Sequence, residues 1–163
     1  MGNRTLTQEY ALYAYKCIEE VKERDEKIQE KYSSRVKKLP AMITHNGLLT
    51  TLAFLYSKAQ FKNEKNEKTK TNEKNKKGEE NENAPNAEAL LLSQIIFLLN
   101  KESLDKNDKE NENKVDKSEI SSFIKKLAEM DFQNLMLYSR KALTLAQWLK
   151  RLAEGEFEDA TNE

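Results

Sequence analysis

Apolar residues recur at intervals of three, four and seven along most of the chain, which is the pattern of helices that bury one face. Thr5 followed by Gln8 is the signature of a capping box, so a helix is expected to begin directly after it. The pattern predicts a first helix over Leu6–Lys38, ended by Pro40, and then a short helical turn over residues 40–44. The apolar positions that define the first helix are Tyr10, Ala14, Cys17, Val21, Ile28, Tyr32 and Leu39.

Four further helices are predicted downstream. Residues 48–60 carry a broad apolar surface, and residues 87–100 are apolar on almost every side, as expected of a central helix. A shorter helix is predicted over residues 118–130, and the last helix begins after the N-cap residue Asp131 and ends at Gly155. No segment alternates between apolar and polar residues like a strand bounded by turns. We therefore predict that all 163 residues belong to one all-α domain, a single-domain bundle of five to six helices.

Two strongly polar stretches interrupt this pattern. Residues 62–86 contain seven Lys, six Glu and seven Asn, and residues 101–117 hold only two apolar side chains. Such segments cannot bury enough apolar surface to offset the entropy that ordering costs. We predict disordered inserted loops at both places and an acidic flexible tail over residues 154–163.

The composition excludes several kinds of site. One cysteine cannot form an internal disulfide, and one histidine with one cysteine cannot supply the ligands of a typical zinc site. The four glycines are too widely spaced for a phosphate-binding loop. No uninterrupted apolar stretch is long enough for a signal peptide or a transmembrane helix. We expect a soluble, cytoplasmic protein without a metal, a cofactor, a small-molecule substrate or a membrane contact.

Two side chains have chemistry that could serve catalysis, but the sequence favours a catalytic role for neither. Histidine can act as a general base near neutral pH, but His45 stands beside Asn46 and Gly47 in a predicted break, where a polar ring can satisfy backbone groups. Cys17 falls on the apolar stripe of the first helix and is expected to behave as a small buried hydrophobe. No catalytic residue is predicted, and an enzyme is the least favoured of the three functional hypotheses.

The net charge is zero, with 28 basic and 28 acidic residues, but the charges are unevenly distributed. No acidic residue lies between Glu30 and Glu64, or between Asp131 and Glu154. On folded helices these two acid-free segments could form a groove for a phosphate backbone, although lysine-rich solvated surfaces are common at this composition. The candidate RNA-binding residues are Arg35, Lys37, Lys38, Lys58, Arg140, Lys141, Lys150 and Arg151.

Three blocks of the sequence are distinctive. They read RTLTQEYALYAY near the start, KYSSRVKKLPAMITHNGLLTTLAFLYSK in the middle and SRKALTLAQWLKRLAEG near the end. Together they resemble the small helical subunit of the Cmr complex, the type III-B CRISPR effector that targets RNA. The middle block is the most specific, and Trp148 with the three residues that follow it is a second marker.

The resemblance implies a non-catalytic all-α subunit in antiviral defence. Such a subunit stacks in several copies beside the subunits that hold the guide RNA, and it helps to form the channel for the target RNA. Its partners would be other Cmr subunits, copies of itself and the backbones of both RNAs, contacted without base specificity. The alternative hypothesis is a helical protein–protein adaptor with no direct RNA contact.

The resemblance supports most of the candidate residues, but not all of them. Arg140 rests on the charge pattern alone, and an acidic residue would be expected near Lys141, where this chain is basic. The candidates that match basic positions of the shared blocks are Arg35, Lys37, Lys38, Lys58, Lys150 and Arg151.

Overall fold

The computed structural model describes residues 3–61, 85–101 and 116–157. Nearly all of these residues lie in six α-helices, and the described ranges contain no β-strand, which confirms the predicted all-α fold. The helices are α1 (Leu6–Lys22), α2 (Glu26–Asn46), α3 (Leu48–Lys58), α4 (Ala87–Asn100), α5 (Lys117–Glu129) and α6 (Phe132–Glu156).

The first predicted helix is divided into α1 and α2, so the prediction of one continuous helix was wrong. Asp25 caps α2, and its carboxylate accepts a hydrogen bond from the Ile28 amide at 3.0 Å. Tyr13 in α1 and Tyr32 in α2 both donate hydrogen bonds to Gln94, at 2.8 and 2.5 Å. In one straight helix the two tyrosines would stand about 28 Å apart. The chain must therefore turn back on itself between α1 and α2.

Pro40 does not end the helix, contrary to the prediction, because α2 continues to Asn46. Proline lacks an amide hydrogen and removes one hydrogen bond from a helix. The buried side chains of Leu39 and Ile43, on either side of Pro40, anchor α2 in the core and offset that loss. The helix ends at Gly47, which has a φ of 91° and donates its N–H to the Ile43 carbonyl oxygen at 2.9 Å. A glycine adopts this φ at little cost.

The predicted inserts and tail fall mainly outside the described residues, at 62–84, 102–115 and 158–163. The folded helices reach further into them than predicted. Asn86 caps α4 with a hydrogen bond from the Ala89 amide, and Asp116 forms a capping box at the start of α5.

The last helix passes through Gly155, so the prediction that Gly155 stops it was wrong. A side chain at Gly155 would meet no atom within 4 Å, so packing does not force the chain to turn there. Phe157 is buried, and its N–H donates to the Ala153 carbonyl oxygen at 3.0 Å. Burial of this ring holds the final turn, so residues 154–157 belong to the folded bundle and not to a tail.

The centre of the bundle is α4, as its apolar sequence predicted, and it packs against α2, α3, α5 and α6. Gln94 is fully buried in this helix and donates to the Cys17 carbonyl oxygen at 3.3 Å and to the Glu20 carboxylate at 3.2 Å. Its amide group therefore joins α1, α2 and α4. The long helix α6 lies along both α1 and α2, and a Lys22–Glu156 ion pair at 2.6 Å links the ends of α1 and α6.

Candidate nucleic-acid interface

The exposed side of α2 carries a row of basic side chains. Lys31, Lys38 and His45 are all exposed, and intervals of seven residues place them nearly in line, about 10 Å apart. Lys37 is half-exposed beside this row. The sequence hypothesis included Lys37 and Lys38 but omitted Lys31, which its heptad spacing from Lys38 could have revealed. The side of α2 that faces the core is set by Tyr32, Ser33, Val36, Leu39 and Ile43.

Arg35 has a different environment from the lysines of α2. Its Nε donates to Glu88 Oε2 at 2.7 Å, and the two side chains are 21% and 4% exposed. Its guanidinium carbon also lies 5.1 Å from the centre of the Phe54 ring. Arg35 therefore ties α2 to α4 and α3, and its charge is largely compensated within the chain.

Lys58 reaches the same aromatic ring from the end of α3. Its Nζ lies 5.8 Å from the centre of the Phe54 ring, while the residue as a whole is exposed. The structure thus brings Lys58 and Arg35 together around Phe54. Only Lys58 of the two presents its charge mainly to solvent.

The outer side of α6 presents Arg140 and Arg151. Both are exposed, and their separation of eleven residues is close to three turns, which puts them on one side of the helix about 16 Å apart. Lys150 is half-exposed and lies 3.7 Å from Glu154, in an ordinary surface pair one turn apart.

Lys141 contacts an aromatic ring at the junction of α5 and α6. Its Nζ lies 5.8 Å from the centre of the Tyr138 ring, and Lys126 Nζ lies 6.0 Å from the same centre. Lys126 also lies 5.7 Å from the Phe123 ring. Lys126 was absent from the sequence hypothesis, because its approach to Tyr138 depends on the angle that α5 and α6 form at the turn between them, and no residue spacing gives that angle.

The two acid-free segments lie on neighbouring helices, because α2 packs against α6 and α3 packs against both. The eight candidate residues therefore occupy one three-helix part of the bundle. Their most exposed members are Lys38, Lys58, Arg140 and Arg151.

A comparison with protein families matches residues 6–156 of the chain to the CRISPR-associated protein family Cas_Cmr5. The chain belongs to this family. It is a Cmr5-type small subunit of the type III-B CRISPR complex, and it associates with other subunits of that complex in CRISPR defence. The match runs through all six helices, so the resemblance of the three sequence blocks is confirmed.

Cys17 and His45, the two side chains with chemistry that could serve catalysis, have different surroundings in this Cmr5-type chain. Cys17 is fully buried, and burial raises the pKa of its thiol, so that the reactive thiolate is disfavoured. Burial likewise raises the pKa of Tyr13 and of Tyr32 above the usual value. His45 is exposed in the last turn of α2. The family is one of structural small subunits.

Within the described ranges of the chain, no helix is both long enough and apolar enough to cross a bilayer.

Proposed function

We propose that this Cmr5 subunit lines the RNA channel of the Cmr complex through the basic outer sides of α2, α3 and α6. The observation that supports this proposal most strongly is the position of Lys38, Lys58, Arg140 and Arg151. They are exposed on three helices that pack together, and the segments that carry them contain no acidic residue. Exposed basic side chains grouped in this way attract a phosphate backbone.

The contacts proposed are with phosphates and not with bases. Lysine ammonium groups act as mobile point charges, which suits a backbone that must slide or vary in sequence. The subunit would therefore hold RNA without base specificity, and copies of it would stack along the complex beside the guide-RNA subunits. Cleavage of the target would belong to other subunits.

Charge reversal in the assembled complex tests this proposal. The two test variants are Lys37→Glu with Lys38→Glu on α2, and Lys150→Glu with Arg151→Glu on α6. Log affinity falls as log salt rises, and each phosphate contact that is lost should make this fall less steep by about one unit of slope. Target-RNA affinity of the reconstituted complex is measured by filter binding over a range of salt concentrations.

The choice of residues separates an effect on RNA binding from an effect on folding or assembly. Arg35 is left unchanged, because reversing its charge would strand the buried Glu88 carboxylate. Lys125→Glu, on the exposed side of α5, is the matched control and should leave both affinity and salt slope unchanged. Wild-type RNA affinity and salt slope in both test variants, with normal assembly, would contradict the proposal.

The adaptor function is the second candidate, and one observation favours it. Several large apolar side chains of α1 and α6 face solvent. In an adaptor without RNA contact, both charge-reversed complexes would bind RNA as the wild type does, while changes to the apolar side chains would prevent assembly.

A further inference from the structure

Basic side chains lie over four aromatic rings in the described part of the chain. Three of these rings, those of Phe97, Phe123 and Tyr138, also contact another aromatic ring, which occupies part of their surface. The fourth ring, that of Phe54, has no aromatic neighbour within the described ranges and is half-exposed. Phe54 packs against the core on one side, and it therefore keeps a ring surface that no other ring covers.

The neighbours of Phe54 on the outer side of α3 are short. Thr50 lies four residues before it and Ser57 three residues after it, and both are exposed, as is Ala53. The Ser57 hydroxyl is turned toward the helix, since it donates to the Phe54 carbonyl oxygen at 2.7 Å. None of these three side chains is long enough to fold across a phenyl ring. The solvent side of the Phe54 ring is therefore accessible.

The two cations over the Phe54 ring differ in their freedom to move. The guanidinium carbon of Arg35 lies 5.1 Å from the ring centre, and its Nε is held by Glu88 Oε2 at 2.7 Å. Lys58 Nζ lies 5.8 Å from the same centre, on an exposed side chain with a flexible four-carbon stem. A flat group that enters from solvent can therefore displace the Lys58 ammonium, while the Arg35 guanidinium stays in place.

We propose that the Phe54 ring stacks on the face of an unpaired RNA base. Every nucleobase has a flat π face, so the contact requires no particular sequence, and aromatic rings in a basic groove hold single strands in this way. Neighbouring bases cover both faces of a base inside a duplex, so the ligand is a nucleotide with one unstacked face. The site rests on the proposed RNA function and adds a base face to the phosphate contacts.

The same basic side chains supply the phosphate contacts of this nucleotide. The Lys58 ammonium, once displaced from the ring, can pair with the phosphate that its base brings to Phe54. Lys38 is exposed one turn after Arg35 on α2 and continues the basic surface beyond the ring. The base and the backbone would thus be held by neighbouring residues of α2 and α3.

The charges around Phe54 favour a nucleotide over an apolar side chain of a partner protein. No acidic residue lies between Glu30 and Glu64, and Glu88, the carboxylate that pairs with Arg35, is only 4% exposed. An apolar partner would cover the Lys58 ammonium without supplying a countercharge, and burial of an unpaired charge is costly. A nucleotide brings its own phosphate and avoids this cost.

Replacing the ring tests the stacking contact. Phe54→Leu keeps an apolar side chain against the core but removes the π face, and it should weaken the affinity of the reconstituted Cmr complex for target RNA roughly fivefold to tenfold. The salt slope should stay at the wild-type value, because no phosphate contact is lost. Phe54→Tyr keeps the ring and should bind as the wild type does. Filter binding over a range of salt concentrations measures both quantities.

The matched control is Tyr56→Leu, which removes a second half-exposed ring from α3. The Tyr56 ring contacts Phe61, and no basic side chain lies over it in the described part of the chain. This change should alter neither the affinity nor the salt slope.

Photocross-linking gives a second measurement that does not depend on how well a variant folds. The photoreactive base 5-iodouracil attaches on irradiation to an aromatic side chain that stacks on it. A 5-iodouridine is placed at successive positions of the target RNA, and the wild-type complex is irradiated with each RNA in turn. Peptide mapping should find the RNA attached to Phe54 from at least one position.

The outcomes separate the stacking site from the proposed RNA function. A cross-link at Phe54, with weakened affinity and an unchanged salt slope in Phe54→Leu and wild-type affinity in Phe54→Tyr, supports the site. Wild-type affinity or a reduced salt slope in Phe54→Leu, weakened affinity in Phe54→Tyr, or no cross-link at Phe54 from any position overturns it. If the charge-reversed variants of α2 and α6 lose salt slope while Phe54→Leu binds normally, the RNA function stands and the stacking site fails.

Discussion

Arg35 and Lys38 lie three residues apart on α2 and carry the same charge, yet they have different surroundings. The Arg35 guanidinium pairs with the buried Glu88 carboxylate and lies over Phe54, whereas Lys38 is exposed to solvent. Lys150 has a third environment, since its partner Glu154 is itself an exposed residue. A basic residue in an acid-free stretch can therefore join two helices, pair with an exposed carboxylate or face solvent, and its partner distinguishes these surroundings.

Removing the charge of Glu88 should destabilise the protein. Glu88→Gln keeps the shape of the side chain but leaves the Arg35 guanidinium without a carboxylate, and we expect a loss of about 1–2 kcal/mol in the free energy of unfolding. Glu154→Gln breaks an exposed pair and should cost less than about 0.5 kcal/mol. Urea unfolding followed by circular dichroism gives both values. If Glu88→Gln proved as stable as the wild type, the pair would not hold Arg35 in place, and the Arg35 charge would be as available to RNA as that of Lys38.

At the scale of the helices, local signals in the sequence predicted most elements well. The bounds of α4 agree with the prediction, because its apolar run ends sharply at polar residues on both sides. The Thr5 capping box and the Asp131 N-cap were likewise predicted from side chains next to the helix that they start. Signals of this kind act over three or four residues, so a single sequence contains them.

The turn between α1 and α2 was missed for a physical reason. Val21 and Ile28 are seven residues apart, and this spacing fits a continuous helix as well as two helices whose apolar sides meet the same core. Asp25 stood among many charged residues and resembled part of a solvated surface. The partner of Arg35 was equally hidden, because Glu88 is 53 residues away and meets it only through packing.

Replacing Asp25 tests whether α1 and α2 are separate helices, because separate and continuous helices predict opposite changes in stability. Asp25→Ala removes the hydrogen bond to the Ile28 amide and should cost about 1 kcal/mol of stability. In a continuous helix the same change would stabilise the protein, because alanine is the better helix former. Thermal unfolding distinguishes the two signs, and Glu23→Ala, an exposed change two residues earlier, serves as the control.

At the scale of the whole molecule, hydrogen bonds join the end of α3 to the start of α4. The Asn86 amide N–H donates to the Gln60 carbonyl oxygen, and the Asn86 side chain accepts from the Gln60 amide, both at 3.0 Å. The Asn86 side chain also donates to the Lys58 carbonyl oxygen at 3.0 Å. Residues directly next to α3 and α4 thus hold the two helix ends together.

Removing the first predicted insert should therefore leave the bundle intact. Replacing residues 63–83 with a short Gly-Ser bridge shortens the connection, and for a flexible chain this raises stability by about 1 kcal/mol or less. Thermal unfolding and far-ultraviolet circular dichroism measure the effect, and reconstitution shows whether the shortened chain still enters the Cmr complex. Asn86→Ala in the same background should lower stability, since it removes the side-chain hydrogen bonds to Gln60 and Lys58. A large loss of helicity on deletion alone would show that the removed residues support the fold.

The reactivity of the Cys17 thiol can measure how often the helical bundle opens. The chain has one thiol, that thiol is completely buried, and its raised pKa keeps it in the unreactive form while the bundle is closed. A thiol-specific reagent added in excess would therefore label the chain only as fast as α1 separates from its neighbours. The labelling rate could be followed in the isolated chain and again inside the Cmr complex. The ratio of the two rates would measure, without any engineered probe, how strongly assembly holds this subunit closed.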